Sequence, residues 1–144
     1  KVGVKTRSNI VDICLKKNKK ILEQLNKINS IVDIEKGEVI RIIQAEESIR
    51  IILDEKNLDK FFNYFPKNDC TSIEKNLTEI NLHFTPEASK TKGIISLISS
   101  SLNAEDINIV EIISCAPELL IFIKKEDLLK ALNVINNLEK IFKT

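Results

Sequence analysis

Residues 39–65, VIRIIQAEESIRIILDEKNLDKFFNYF, align without a gap with residues 109–135, IVEIISCAPELLIFIKKEDLLKALNVI, at a spacing of 70 positions. Six positions are identical in the two segments, and most of the remaining apolar positions stay apolar. The identical pairs are Ile42/Ile112, Ile43/Ile113, Ile51/Ile121, Leu58/Leu128, Lys60/Lys130 and Asn63/Asn133. Self-similarity at a fixed spacing indicates a repeated structural unit. The sequence therefore predicts two copies of one fold.

Each segment predicts two strands followed by a helix. In the first copy, residues 39–43 and 48–53 are rich in β-branched side chains, and the polar stretch between them is typical of a hairpin turn. The following apolar side chains recur every three or four positions, which places them on one face of a helix. These side chains are Leu58, Phe61, Phe62 and Phe65. The second copy repeats the pattern, with a turn at 115–118, a strand at 119–123 and a helix at 127–138.

A further strand and helix precede each segment. Residues 80–84 alternate apolar and polar side chains, which predicts a strand, and apolar spacing predicts a helix over 93–102. In the first copy, Val11, Ile13 and Leu15 alternate in the same way, and apolar residues between 21 and 28 predict the helix. Each copy is thus β-α-β-β-α, which begins the split βαβ pattern of ferredoxin-like folds.

We therefore predict an α+β protein with two repeats, residues 1–68 and 69–144. In each repeat both helices should cover one face of an antiparallel sheet. Residues 66–75 are polar and are expected to form a hinge between the repeats. Residues 2–7 are expected to add an edge strand to one of them.

Composition excludes several classes of function. The 22 basic and 21 acidic side chains nearly cancel, so the net charge gives no general attraction for nucleic acid or anionic lipid. No apolar run is long enough to span a bilayer, and the first residues lack the apolar core of a secretion signal. The three cysteines include no C-x-x-C pair, which favours buried or half-buried thiols in a reducing compartment. We expect a cytoplasmic protein.

Few residues of the sequence suggest catalysis or metal binding. His83 is the only histidine, and its place on a predicted strand between Leu82 and Phe84 favours a sheet-face or interface role over a metal ligand. Acidic side chains at 46, 47, 54 and 55 lie in a turn and at a helix start, where carboxylates are expected for structural reasons. Four lysines between 16 and 20 favour a solvated surface. We predict no catalytic residue, no metal and no cofactor.

Three stretches resemble the ACT family of small-molecule-binding regulatory domains. Residues 91–95, TKGII, resemble the family's strand-to-helix loop, and residues 105–109, EDINI, resemble the entry to its second strand. Residues 44–58 are similar to the tandem ACT region of aspartokinases, and the closest overall pattern is that of stand-alone tandem ACT proteins. The resemblance implies an amino-acid ligand at an interface between ACT domains, edge-to-edge pairing into a homo-oligomer such as a dimer, and control of a metabolic enzyme or an upstream domain.

A ligand site is expected in the second repeat. The loop before residue 94 offers free backbone N–H groups at a helix start, and Gly93 allows close approach to the backbone. The matching family positions are Lys92, Gly93, Ile94, Asn108, Ile109 and Val110. We hypothesise that the N–H groups of Gly93 and Ile94 hold a carboxylate while Asn108 orients an amino group. The alternative is an ordinary capped helix beside a polar strand end.

Three function classes remain open on this basis. The leading interpretation is a non-catalytic regulatory module of amino-acid metabolism that binds an amino acid. The second is a structural oligomerisation module without a ligand. The third is a small enzyme on a ferredoxin-like scaffold, because a fold does not exclude a function.

Overall fold

The computed structural model describes residues 2–142, so the outermost residues of both predicted domains lie outside it. Within these residues the strands are β1 Gly3–Lys16, β2 Ile40–Gln44, β3 Ser48–Asp54, β4 Cys70–His83, β5 Glu111–Cys115 and β6 Glu118–Lys124. The α-helices are α1 Lys19–Gln24, α2 Leu58–Tyr64, α3 Pro86–Ser89, α4 Ile94–Ala104 and α5 Leu128–Phe142. A 3-10 segment, Leu25–Ser30, continues α1.

One compact unit is formed by Asn9–Leu77. Its strands follow the order β2-β3-β1-β4, and β3 pairs antiparallel with both of its neighbours. Alternation along β1 sends its odd-numbered apolar side chains into a core with α1 and α2, where the rings of Phe61 and Phe65 stack at 4.5 Å. The β-branched and aromatic content of these strands and helices therefore fills one continuous apolar core.

The other unit combines the residues up to Ser8 with those from Thr78 onward. Its strands follow the order β1-β4-β6-β5, with β5 and β6 forming an antiparallel hairpin in which Ile112 faces Ile121. Side chains from one face of the sheet pack with α4 and α5. The buried members of this core are Ile80, Leu82, Ile94, Ile98, Leu102, Ile107, Leu119, Ile121, Ile123, Ala131, Ile135 and Leu138.

The predicted α+β fold with ferredoxin-like repeats is confirmed. Both predicted hairpins and the four predicted helices occur where the spacing of apolar residues indicated them. The first of these helices ends as the 3-10 segment Leu25–Ser30. The boundary between residues 68 and 69 stays a prediction. Residues 3–8 join the sheet of the second unit, where Gly3 lies beside His83.

The strands β1 and β4 are longer than the sequence indicated. Both have 14 residues, and both bury six consecutive positions, residues 10–15 in β1 and 77–82 in β4. The expected hinge at 66–75 is wrong from residue 70 onward, because Cys70 begins β4. Its first half is mostly exposed, so sheet hydrogen bonding rather than apolar alternation makes it a strand. Thr71 Oγ1, for example, donates to the carbonyl oxygen of Cys14 at 3.3 Å.

An asparagine with positive φ interrupts each long strand where it passes between the two units. Asn9 has φ of 58° and Asn76 has φ of 59°. This left-handed conformation is unfavourable for L-residues, and asparagine tolerates it better than most because of its short polar side chain. Both asparagines immediately precede the buried halves of their strands, so they begin equivalent stretches of the two repeats.

We expect Asn76→Val to lower the free energy of unfolding by about 1 kcal/mol, because a β-branched residue is strained at positive φ. Asn76→Gly should stay within about 0.5 kcal/mol of the wild type. Urea titration of both variants measures the difference. The control is Lys75→Val, an exposed neighbour on the same strand; an equal loss there would assign the effect to valine rather than to the backbone.

The longer loop of the first unit, residues 31–39, is held by one carboxylate. Glu38 Oε1 accepts from the Asp33 N–H at 2.9 Å and from Asn57 Nδ2 at 3.0 Å, and Glu38 Oε2 lies 3.0 Å from Lys56 Nζ. These contacts, the Asp33 hydrogen bond foremost, lower the pKa of Glu38 from 4.5 to about 2. Asp54 Oδ2 also accepts from the Val39 N–H at 2.7 Å, which supports the structural interpretation of that carboxylate.

The Glu38 contacts predict a specific acid sensitivity. Because the folded pKa of about 2 lies below the ordinary 4.5, the stabilisation is present above pH 4.5 and is lost as the pH falls toward 2. Glu38→Gln should therefore reduce stability at neutral pH and flatten the fall in unfolding free energy over this window. Urea titrations at several pH values test this. Glu35→Gln, an exposed glutamate of the same loop, should follow the wild-type curve.

Two further properties bear on the sequence expectations. Cys14 is buried and Cys70 is half-buried, as expected, whereas Cys115 is exposed because it ends β5 at the hairpin turn. Among residues 2–142, no helix combines the length and the apolar character needed to cross a membrane.

Candidate functional site

A pocket opens at the start of α4, between the loop that follows β4 and the β5–β6 hairpin. Its cavity volume is about 170 Å³. This volume is below the range of about 300–1,000 Å³ that is usual for the sites of drug-sized ligands, so the pocket suits only a small molecule. The lining residues are Phe84, Ser89, Thr91, Gly93, Ile94, Ile95, Ser114, Ala116, Pro117, Glu118 and Leu119.

Gly93 is the N-cap residue of α4, and its backbone conformation favours glycine. Its φ is 82°, and it caps the helix without a side-chain hydrogen bond. The first N–H groups of a helix have no intrahelical acceptor, and here no capping side chain satisfies them. By contrast, the short helix α3 just upstream is capped by Thr85, whose Oγ1 accepts from the Ala88 N–H at 3.1 Å. The start of α4 therefore keeps hydrogen-bond donors for another acceptor.

Glu118 is the only charged residue among those lining the pocket. Its Oε1 accepts from Asn81 Nδ2 at 3.0 Å and lies 3.7 Å from His83 Nε2. The Asn81 residue is only 8% exposed, and within the described residues its Oδ1 has no hydrogen-bond partner. The Glu118 side chain is 39% exposed, and its contacts with Asn81 and His83 place its carboxylate on the face of the sheet opposite α4.

The structure places the Glu118 carboxylate beside His83. No group of three or more His, Cys, Asp or Glu side chains within residues 2–142 is arranged to hold a metal ion.

The six predicted site residues do not lie together in the structure. Gly93 and Ile94 line the pocket at the start of α4. Asn108 and Ile109 line a second, more polar pocket with Ser99 and Asn103. Because α4 has 11 residues, about 16 Å separates its two ends, so the two pockets do not form one site within a single unit.

The other two predicted residues line neither of these pockets. Lys92 is exposed beside Gly93, and the Val110 N–H donates to the carbonyl oxygen of Phe122 at 2.8 Å on the way into β5. Ser114 and Glu118 also line the pocket, although no sequence motif indicated them. The predicted turn at 115–118 lies next to the loop after β4 because β4 and β6 are neighbours in the sheet.

Comparison with known proteins relates the chain to aspartate kinases through its fold. No family model and no curated protein matches the sequence. Aspartate kinase from Clostridium acetobutylicum aligns over 94% of this chain with a TM-score of 0.72 and 22% identity, and the chain spans 34% of that enzyme. The ligand-free regulatory subunit of aspartate kinase from Thermus thermophilus aligns over 94% of this chain and 96% of its own, with a TM-score of 0.70 and 12% identity.

A third solved structure contains bound amino acids. Aspartokinase III from E. coli, in complex with lysine and aspartate, aligns over 94% of this chain and 32% of its own, with a TM-score of 0.62 and 15% identity. The chain therefore resembles aspartate kinase regulatory regions in fold, as the sequence motifs implied.

We expect Gly93→Ala to lower the free energy of unfolding by about 1 kcal/mol, because alanine is strained at a φ of 82°. No atom lies within 4 Å of the added Cβ, so the loss comes from the backbone and not from a clash. Gly3→Ala is the matched control, since its Cβ would meet only His83 Cβ at an ordinary 3.5 Å. Chemical unfolding of both variants distinguishes them; equal losses would contradict this account of Gly93.

Proposed function

We propose that this chain is a non-catalytic regulatory module that binds an amino acid, with the ligand at an interface between two ACT-like units. The observation that supports this function best is the pocket at the start of α4. It combines helix N–H groups that no side chain caps with the hydroxyl groups of Ser89, Thr91 and Ser114. A zwitterion needs donors for its carboxylate and an acceptor for its ammonium group, and the helix N–H groups and the hydroxyl oxygens offer both.

In this proposal the N–H groups of Gly93 and Ile94 hold the ligand carboxylate. The positive end of the α4 dipole favours an anion there, and Gly93 has no side chain to obstruct it. Apolar side chains also line the pocket at this position. The first unit offers less, because the loop before α1 has no glycine and Asn18 Oδ1 already accepts from the Ile21 N–H at 2.9 Å.

The interface follows from the separation of Gly93 and Asn108. Since they lie toward opposite ends of α4, a ligand that contacts both must lie between two copies of the unit. β5 is the last strand in its unit, and uncovered strand edges favour pairing. Antiparallel pairing of two β5 edges sets the beginning of one strand beside the end of the other. Asn108 of one copy would then reach the Ser114 end of its partner, where it would orient the ligand amino group.

Regulation of amino-acid metabolism is the role that the structural comparisons favour. The Thermus thermophilus protein is a separate regulatory subunit of nearly the same extent, and the E. coli enzyme was crystallised with amino acids. A ligand that binds only the paired arrangement would shift the chain toward it, and a metabolic enzyme or an adjoining domain would respond to that shift.

The proposal is tested by titrating the common amino acids against the full chain, with thermal unfolding and calorimetry as measurements. At a concentration of about 100 times Kd, a ligand specific for the native state adds roughly 2.7 kcal/mol of stability. Light scattering should show a dimer or higher oligomer in the presence of that ligand. If no amino acid raises Tm while the chain still self-associates, the protein is an oligomerisation module and the proposed function is wrong.

Asn108→Ala provides the residue-level test. It should weaken binding by roughly tenfold, the effect of losing a hydrogen bond to a charged group, while leaving Tm without ligand unchanged. The matched control is Asn137→Ala, an exposed asparagine on α5 that lines neither pocket. Equal affinities for the wild type and Asn108→Ala would remove Asn108 from the site.

A further inference from the structure

We infer that docking of residues 2–8 on the second unit is coupled to the pocket at the start of α4, so that an amino acid in this pocket holds the N-terminal segment in place. This inference rests on the proposed function and adds the element that responds to the ligand. Its basis is Phe84, which lines the pocket and also lines a separate apolar cavity that Val2 closes.

The N-terminal segment, residues 2–8, is held to the second unit by few contacts. Residues 3–7 are exposed, although they belong to β1 and lie next to β4 in the sheet of this unit. Ser8 Oγ and Thr78 Oγ1 share a hydrogen bond at 3.0 Å, and Val2 packs against the apolar core. A segment with so little apolar burial opens at a lower free energy than a buried strand. Its docking is therefore an equilibrium that a ligand can shift.

Val2 fills a narrow gap in the second unit. The other residues that line this cavity come from β4, the loop that follows it, α4 and α5. They are Leu82, Phe84, Ile98, Ile135, Leu138 and Glu139. The cavity volume is about 10 Å³, whereas a cavity needs roughly 10–15 Å³ to hold one water molecule. Detachment of Val2 would expose apolar surface to water, so Val2 is the side chain that attaches the segment to the core.

Phe84 connects this cavity with the pocket. It directly follows β4, and its half-buried side chain packs against the core of the second unit. Its N–H donates to the carbonyl oxygen of Pro117 at 2.9 Å, and Pro117 also lines the pocket. A side chain that lines two cavities has fewer accessible positions once either of them is filled. Filling one cavity therefore lowers the entropic cost of filling the other.

The coupling acts in both directions. An amino acid that packs on Phe84 raises the fraction of molecules in which Val2 is docked. A docked Val2 raises the affinity for the amino acid by the same factor, because coupling between two sites is reciprocal. Occupancy of the pocket is thus converted into order of the N-terminal segment.

The test is hydrogen–deuterium exchange of the full chain with and without a mixture of the common amino acids. The mixture should slow the exchange of the N–H groups of residues 3–8 by at least about fivefold, the lower end of typical coupling between sites. Exchange along β2, an edge strand of the first unit, should not slow with it. The Tm in the same mixture reports whether an amino acid binds at all.

Two valines of the same segment provide a matched pair of variants. Val2→Ala should speed the exchange of residues 3–8 without amino acids and should remove most of the slowing by the mixture, because alanine leaves the cavity beside Phe84 partly empty. Val4→Ala should keep the wild-type slowing, since Val4 is 39% exposed and lines neither cavity.

The outcomes separate this inference from the function on which it rests. A rise in Tm without slower exchange at residues 3–8 would overturn the inference and leave an amino-acid-binding module. Equal slowing along β2 would assign the effect to general stabilisation and would also overturn it, as would wild-type slowing in Val2→Ala. No rise in Tm would overturn the proposed function and the inference with it. The wild-type measurements decide the question even if Val2→Ala does not fold.

Discussion

The register of β4 is the constraint on which the candidate site depends. Alternation along this strand sends Ile80 and Leu82 into the core with α4 and α5, and it sends Asn81 and His83 to the opposite face, beside Glu118. A slip of one residue would place the polar pair in the apolar core and move the apolar pair to the opposite face. The apolar core thus fixes the register. The same alternation continues to Phe84, which packs against this core and lines the pocket at the start of α4.

Each repeat has its own apolar core of this kind, and the two repeats differ in the loops around it. In the first unit the longer connection is the one before β2, where Glu38 ties it to the start of α2. In the second unit the longer connection follows β4, and it contains Gly93 and the pocket. A buried strand tolerates few changes, whereas a surface loop tolerates insertion, so function diverges in the connections. The duplication preserved one folding pattern, and the pocket at the start of α4 lies in a connection of the second unit.

The sequence was informative wherever burial generated a pattern. The apolar spacing of Leu58 and Phe61 predicted a helix, and the alternation of Val11, Ile13 and Leu15 predicted a strand, because in each case one face meets a core. It was uninformative for residues 70–75, whose strand has little apolar burial and is held by backbone pairing. Gly93 was predicted because a glycine directly before a helix can be recognised from the neighbouring residues alone. The contact between Glu118 and Asn81 could not be predicted because the two residues lie on different strands.

The division of the predicted site between two pockets links binding to association. In the proposed arrangement one unit supplies Gly93 and Ile94, whereas Asn108 lies toward the other end of α4 and would join the ligand only from a second unit. A ligand bound by both copies has differential affinity for the paired state, so it must favour pairing. Thermodynamic reciprocity then requires pairing to raise the affinity for the ligand by the same factor. A pocket that was complete within one unit would bind the ligand as tightly without a partner. Ligand binding would then leave the equilibrium between single and paired units unchanged. The incompleteness of the single unit is therefore what makes regulation by the ligand physically reasonable.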